Sequence, residues 1–83
     1  LKLAYRAGRE GGTLPAVMNG ANEAAVHAFL QKRISFHEIV RLTEQVMSVQ
    51  PVRQKPSIEE IVDADRWAKE RMETIIEKRM DHC

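Results

Sequence analysis

Between Thr13 and Arg33 the chain places Leu14, Val17, Met18, Ala21, Ala24, Ala25, Ala28 and Phe29 at spacings of three and four. That period belongs to a helix with a wide apolar face. Four of these residues are alanine, so the face has little side-chain bulk and a neighbouring helix can approach closely. No stretch of the chain alternates apolar and polar residues in the β-branched pattern of a strand. A close-packed helical domain is the expected outcome. The helix is predicted over residues 14–32, with Thr13 as N-cap and Pro15 in the first turn, where a missing N–H costs nothing. Lys32 and Arg33 suit its C-terminus. Gly20 is its weak point, costing about 1 kcal/mol relative to Ala in a helix interior. A kink there, or a restart capped by Asn22, is one expectation.

Three further helices are predicted, over about 1–10, 36–49 and 58–80. The first has Leu3, Ala4 and Ala7 on one face and is stopped by Gly11-Gly12. The third predicted helix opens with the capping box Ser35-Phe36-His37-Glu38, and Phe36, Ile39, Val40, Thr43, Val46 and Met47 are read as its inner face. Pro51 and Pro56 mark a linker. The fourth opens with a second capping box, Ser57-Ile58-Glu59-Glu60. Its inner stripe is read as Ile61, Ala64, Ala68, Met72 and Ile75, with Trp67 and Ile76 at the edges. Asp63 or Asp65 could cap a restart. Arg66–Glu70, Asp65–Lys69 and Lys69–Glu73 are candidate ion pairs along its outer side. The predicted fold is all-α: a small four-helix bundle of antiparallel neighbours with short connections, one domain over residues 1–83.

With 83 residues the chain has room for one small domain. Thirteen Lys and Arg stand against twelve Asp and Glu, a net charge of +1. That balance gives no global field for nucleic acid. No apolar run reaches the length of a membrane span. The single Cys, Cys83, excludes an intrachain disulfide and fits a reducing compartment. A complete cofactor enzyme does not fit this length. With no Met at position 1, the chain reads as a piece of something longer.

Few residues could carry chemistry. Glu23 and His27 lie one turn apart on the second predicted helix; Asn19 extends that stripe and Asn22 lies beside it. A zinc site needs three or four ligands, and this helix offers two. A polar interface stripe is the plainer explanation. On an otherwise apolar helix, Asn19 and Asn22 are expected to be buried and to need hydrogen-bond partners, which another domain would supply. His82 and Cys83 form a thiol–imidazole pair at a terminus that normally frays, and no supporting shell is visible. His37 reads as an exposed residue within a capping box. Gly11-Gly12-Thr13 could cradle phosphate, but it lacks the spacing and Lys of a phosphate loop, and helix punctuation accounts for it. Lys32-Arg33 and Arg53–Lys55 are not interleaved with aromatics, and the third predicted helix exposes only Arg41 and Gln45 beside Glu38 and Glu44. That is a poor recognition helix.

The stretch from Gly11 to Leu30, GGTLPAVMNGANEAAVHAFL, resembles a motif of the 1-deoxy-D-xylulose 5-phosphate reductoisomerase family, approximately GGTxPAVLNAANExAVxAFL. The likeness continues at Ile34 to Ile39, at Pro56 to Ile61, at Ala64 to Ala68, and in Leu1 to Ala7. It departs at Gly20 for the usual Ala, Met18 for Leu and Glu38 for Asp. The resemblance implies the C-terminal helical domain of a three-part enzyme, about its last fifth. Such an enzyme converts 1-deoxy-D-xylulose 5-phosphate to 2-C-methyl-D-erythritol 4-phosphate in non-mevalonate isoprenoid biosynthesis. It uses NADPH and a divalent cation, Mg or Mn. The family's metal ligands, phosphate-binding residues and glycine fingerprint lie upstream, so none is carried over. The implied chain is inactive alone, with no catalytic, cofactor or metal residue of its own. Its partners are the catalytic and NADPH-binding domains of the same polypeptide, in a homodimeric bacterial cytoplasmic enzyme. Asn19, Asn22 and Glu23 are the candidate interdomain contacts. A free-standing helical interaction module is the competing expectation. A small metal-binding domain built on Glu23, His27, His82 and Cys83 is a third.

Overall fold

The computed structural model describes residues 11–49 and 54–81. Within them the chain forms three helices: α1 (Leu14–Leu30), α2 (Phe36–Val49) and α3 (Ile58–Asp81). The described residues hold no strand, so the all-α reading stands. The count differs from the expected four: the first predicted helix, residues 1–10, lies outside the described residues, as do His82 and Cys83.

The helix starts are set by local chemistry. At α2 the Ser35 N–H donates to Glu38 Oε1 (2.8 Å). At α3 the box is reciprocal: Ser57 N–H donates to Glu60 Oε1 (3.0 Å), and the Glu60 N–H donates to Ser57 Oγ (3.1 Å). Each pair satisfies donors that the first turn leaves open. At α1 the expectation of a side-chain cap fails. Thr13 occupies the cap position with helical φ and ψ, and its side chain makes no capping bond. Gly11 and Gly12, both at positive φ, turn the chain into the helix instead, and the Leu14 N–H donates to the Gly11 carbonyl (3.2 Å).

α1 ends at Leu30, two residues before the predicted end. The Arg33 N–H donates to the Ala28 carbonyl and the Lys32 N–H to the Phe29 carbonyl, both at 2.9 Å, with Lys32 at φ 62°. This is the Schellman closure, made with lysine where glycine is usual.

α1 packs against both other helices, which touch each other less. Glu23 reaches Lys69 and Arg33 reaches Glu73, so α1 and α3 run parallel. Glu38 of α2 pairs with Arg79 near the end of α3, so those two are antiparallel. The path is up, down, up. Leu14, Val17, Ala21, Ala25 and Ala28 are buried at the centre against Leu42, Val46 and Met47 of α2 and Ala68, Met72 and Ile76 of α3.

Gly20 does not interrupt α1, and no kink or restart occurs at Asn22. It is the crossing point of α1 and α3. A Cβ there would overlap the Asp65 carbonyl oxygen and lie 3.2 Å from the Ala68 Cβ. α3 likewise runs unbroken past Asp63 and Asp65.

Three inner-face assignments are corrected. Phe36 and Val40 are 68% and 57% exposed, and Leu42 fills the α2 interface instead. Ile61 is exposed, because it lies near the start of α3, where α1 covers it only in part. Ile76 is wholly buried rather than at an edge. Of the three ion pairs expected along α3, Asp65–Lys69 is present at 3.0 Å. Glu73 pairs with Arg33 (2.6 Å) in place of Lys69.

Candidate functional site

A helix on a protein surface normally turns a charged face to water. α1 does not. Glu23 is its one Asp, Glu, Lys or Arg, and its outward face consists of Asn19, Asn22, Glu23, Val26, His27 and Leu30, all exposed. Leu30 is 71% exposed. α1 is therefore apolar or uncharged nearly all round, the composition of a helix covered on every side.

The predicted residues sit on this face and along its seam with α3. Asn19 lines a groove of 590 Å³ between Pro15 and Ala16 of α1 and Ile61, Val62, Asp65 and Arg66 of α3. One turn on, Glu23 and His27 line a second recess of 310 Å³ with Ala24, Lys69 and Glu73. Lys69 belongs to both. Its ammonium is 3.0 Å from Asp65 and 3.6 Å from Glu23. The hydrogen bond it donates to Asp65 and the field of the two carboxylates hold its pKa above the ordinary lysine value. Asn22 lines neither recess.

The expected burial of Asn19 and Asn22 is not observed: both face outward in this chain. They lie on the outward half of α1. The partnership of Glu23 with Lys69 was not foreseen, nor was the salt bridge from Arg33 to Glu73 that ties the end of α1 to α3. Helical spacing relates residues on one helix and carries no information on which residues of another helix lie opposite.

Among the described residues no three His, Cys, Asp or Glu side chains cluster to hold a metal. Glu23 and His27 gain no third ligand within the described residues, and His37 is exposed with its ring 6.3 Å from that of Phe36. Gly11 to Thr13 form the turn that leads into α1. The described residues thus bring together no donor set for a divalent cation. No described helix is long and apolar enough to cross a membrane.

Comparison with known proteins decides the family. The family model of the DXP reductoisomerase C-terminal domain matches residues 1–71. The chain belongs to the DXP reductoisomerase C-terminal domain family. A 1-deoxy-D-xylulose 5-phosphate reductoisomerase of Desulfitobacterium hafniense is 53% identical over 76 residues, 92% of this chain and 20% of that protein. One from a Synechococcus strain is 58% identical over 69 residues, covering 83% and 18%. One from Gloeobacter violaceus is 42% identical over 78 residues, covering 94% and 20%. The chain spans about a fifth of the length of these reductoisomerases. Within the DXP reductoisomerase C-terminal domain, then, α1 presents an outward face on which Glu23 is the one formal charge.

Proposed function

We propose that this chain is the structural C-terminal domain of a reductoisomerase that converts 1-deoxy-D-xylulose 5-phosphate to 2-C-methyl-D-erythritol 4-phosphate in bacterial, cytoplasmic isoprenoid biosynthesis. Its task is to dock on the catalytic and NADPH-binding domains of the same polypeptide and hold their geometry within a homodimer. Such an enzyme is implied to use NADPH and a Mg or Mn ion, and both would be held by the domains upstream rather than by residues of this chain. The chain by itself is catalytically inactive.

One observation carries the docking role. The outward face of α1 pairs amides, Asn19 and Asn22, with aliphatics, Val26 and Leu30, and has only one formal charge, Glu23. Aliphatics on such a face lose water on docking, at about 25 cal/mol per Å² of apolar surface. The amides then take specific hydrogen bonds, each worth about 0.5–1.5 kcal/mol net. An interface of this kind fixes orientation without drawing charges out of water.

The test is Asn22→Leu in the full-length enzyme. In the 83-residue chain this exposed substitution should leave the melting temperature nearly unchanged. In the whole enzyme both the melting temperature and turnover should fall. No change in either would refute the docking role. Titrating the isolated chain with NADPH should give no heat of binding, and micromolar affinity would refute the assignment of the cofactor site to the upstream domains.

A further inference from the structure

Asn19 and Gly20 form the one Asn-Gly pair of the sequence. Glycine has no Cβ to screen its nitrogen and takes up backbone angles closed to other residues. That nitrogen can therefore attack the side-chain amide before it. It gives up its proton to solvent base and bonds to the Asn19 Cγ. The Cγ–Nδ2 bond breaks, and ammonia leaves with a proton from water. A cyclic imide results, and water opens it in one of two ways. Breaking the new N–Cγ bond leaves aspartate. Breaking the original peptide C–N bond leaves isoaspartate, whose main chain runs through the former side chain. No electrons are exchanged, water is the only co-reactant, and a neutral amide becomes a carboxylate.

The fold holds this chemistry off. Asn19 is exposed to water and base, whereas Gly20 is buried. Within α1 the Gly20 N–H belongs to the hydrogen-bond ladder running one turn back. The helical ψ of Asn19 also turns that nitrogen away from Cγ. From α3, the Asp65 carbonyl and the Ala68 Cβ close over Gly20. Reaction therefore requires α1 to open. Local signals offer little resistance, because Thr13 supplies no side-chain cap and glycine is a poor helix former.

The products do not fit what opened. A carboxylate at position 19 stands one turn from Glu23 and lines the same groove as Asp65. Like charges one turn apart on a helix repel. Lys69 already serves both neighbouring carboxylates, at 3.6 Å from Glu23 and 3.0 Å from Asp65. Isoaspartate also lengthens the backbone by a carbon immediately before Gly20, at a crossing too tight for even a Cβ.

We propose that Asn19-Gly20 is a site of spontaneous deamidation, held unreactive by the α1–α3 crossing, and that its products re-form that crossing poorly. The modification turns a transient opening of α1 into a lasting one. It does not depend on whether α1 docks on another domain.

The test is incubation of the 83-residue chain at mildly alkaline pH, in buffer and in concentrated urea. Fragment-ion mass spectrometry reads the conversion of each asparagine. In urea Asn19 should convert while Asn22, followed by Glu23, stays intact. In buffer Asn19 should convert at least about tenfold more slowly, since only opened α1 reacts. Asn19→Asp should melt below the parent, and the isoaspartyl form, separated chromatographically, lower still. Asn19→Gln, which keeps the amide, should melt with the parent. No conversion in urea, equal rates in buffer and urea, loss of Asn22 as fast as Asn19, or an isoaspartyl form that melts with the parent would each overturn the proposal.

Discussion

Replacing Gly20 by alanine sets two known effects against each other. On helix propensity alone the change favours folding by about 1 kcal/mol. Packing opposes it. The added Cβ would overlap the Asp65 carbonyl oxygen, which is backbone and cannot rotate away, and would lie 3.2 Å from the Ala68 Cβ. Relief requires α1 and α3 to move apart along the seam where Ala21, Ala64 and Ala68 are buried. Forcing an extra carbon into a packed core costs about 1–3 kcal/mol. The upper half of that range exceeds the propensity gain. The expected net loss is about 1 kcal/mol, a fall in melting temperature of about 4–8 °C for a domain this size. Thermal unfolding followed by circular dichroism measures it, with Asn22→Ala as the internal control. Asn22 is exposed on the same helix, so that variant reports propensity without packing and should melt higher than the parent. If Gly20→Ala rises as much as Asn22→Ala does, the crossing at Gly20 is not close-packed and the reasoning fails.

Two further outcomes follow from polar side chains of α2. Thr43 is 1% exposed on α2 and its hydroxyl has no hydrogen-bond partner among the described residues. Thr43→Val keeps the branched shape, removes an unsatisfied group that costs about 1–3 kcal/mol, and should raise the denaturant midpoint at unchanged slope. The Glu38 carboxyl is held below its ordinary value of 4.5, first by the Ser35 N–H, with Arg79 and Arg41 adding to the effect. A depressed pKa means the folded state prefers the carboxylate, so its contribution is full above about pH 4.5 and is lost as pH falls through the folded value. Glu38→Gln should therefore be less stable than the parent near neutral pH, with the gap narrowing below pH 4.5. An equal gap at every pH would assign the effect to something other than ionisation.

Legibility in the sequence followed the range of the interactions. Both capping boxes close within four residues, and both were readable from Ser35–Glu38 and Ser57–Glu60. The α1 core stripe was likewise set by its own period. Errors arose where distant residues decide. Gly20 is an unfavourable residue by local rules, and only the approach of Asp65, far along the chain, makes its missing side chain useful. Phe36 and Val40 share a helical period with Ile39 and Val46, but α2 lies on its neighbours through Leu42, and spacing alone did not centre the stripe there. Lys32 has no preference for positive φ, so the end of α1 was placed too late; the two carbonyls that the Schellman turn satisfies outweigh that local cost. The candidate site divided the same way. Asn19, Glu23 and His27 were predicted to share a face and do. Their facing partners, Lys69 and Glu73, came from α3 and had no signal in the α1 segment. Gln45 of α2 likewise shares a small cleft with Arg71 and Lys78 of α3 across the linker, a pairing no spacing rule contains.

The unequal capping of the helices also bears on the order of assembly. α2 and α3 each carry their own start signal, complete within the first turn, so each can nucleate as soon as it is made. α1 has none: Thr13 offers no side-chain cap, and beyond Val17 its buried face is glycine and alanine, which gain little from collapse until another helix lies against them. α2 supplies part of that cover, and α3 completes it through Ala68, nearly fifty residues further on from Gly20. The helix at the centre of the domain is thus the earliest of the three to be synthesised and the last to be secured, and until α3 arrives its uncharged length is open to any other surface that fits it.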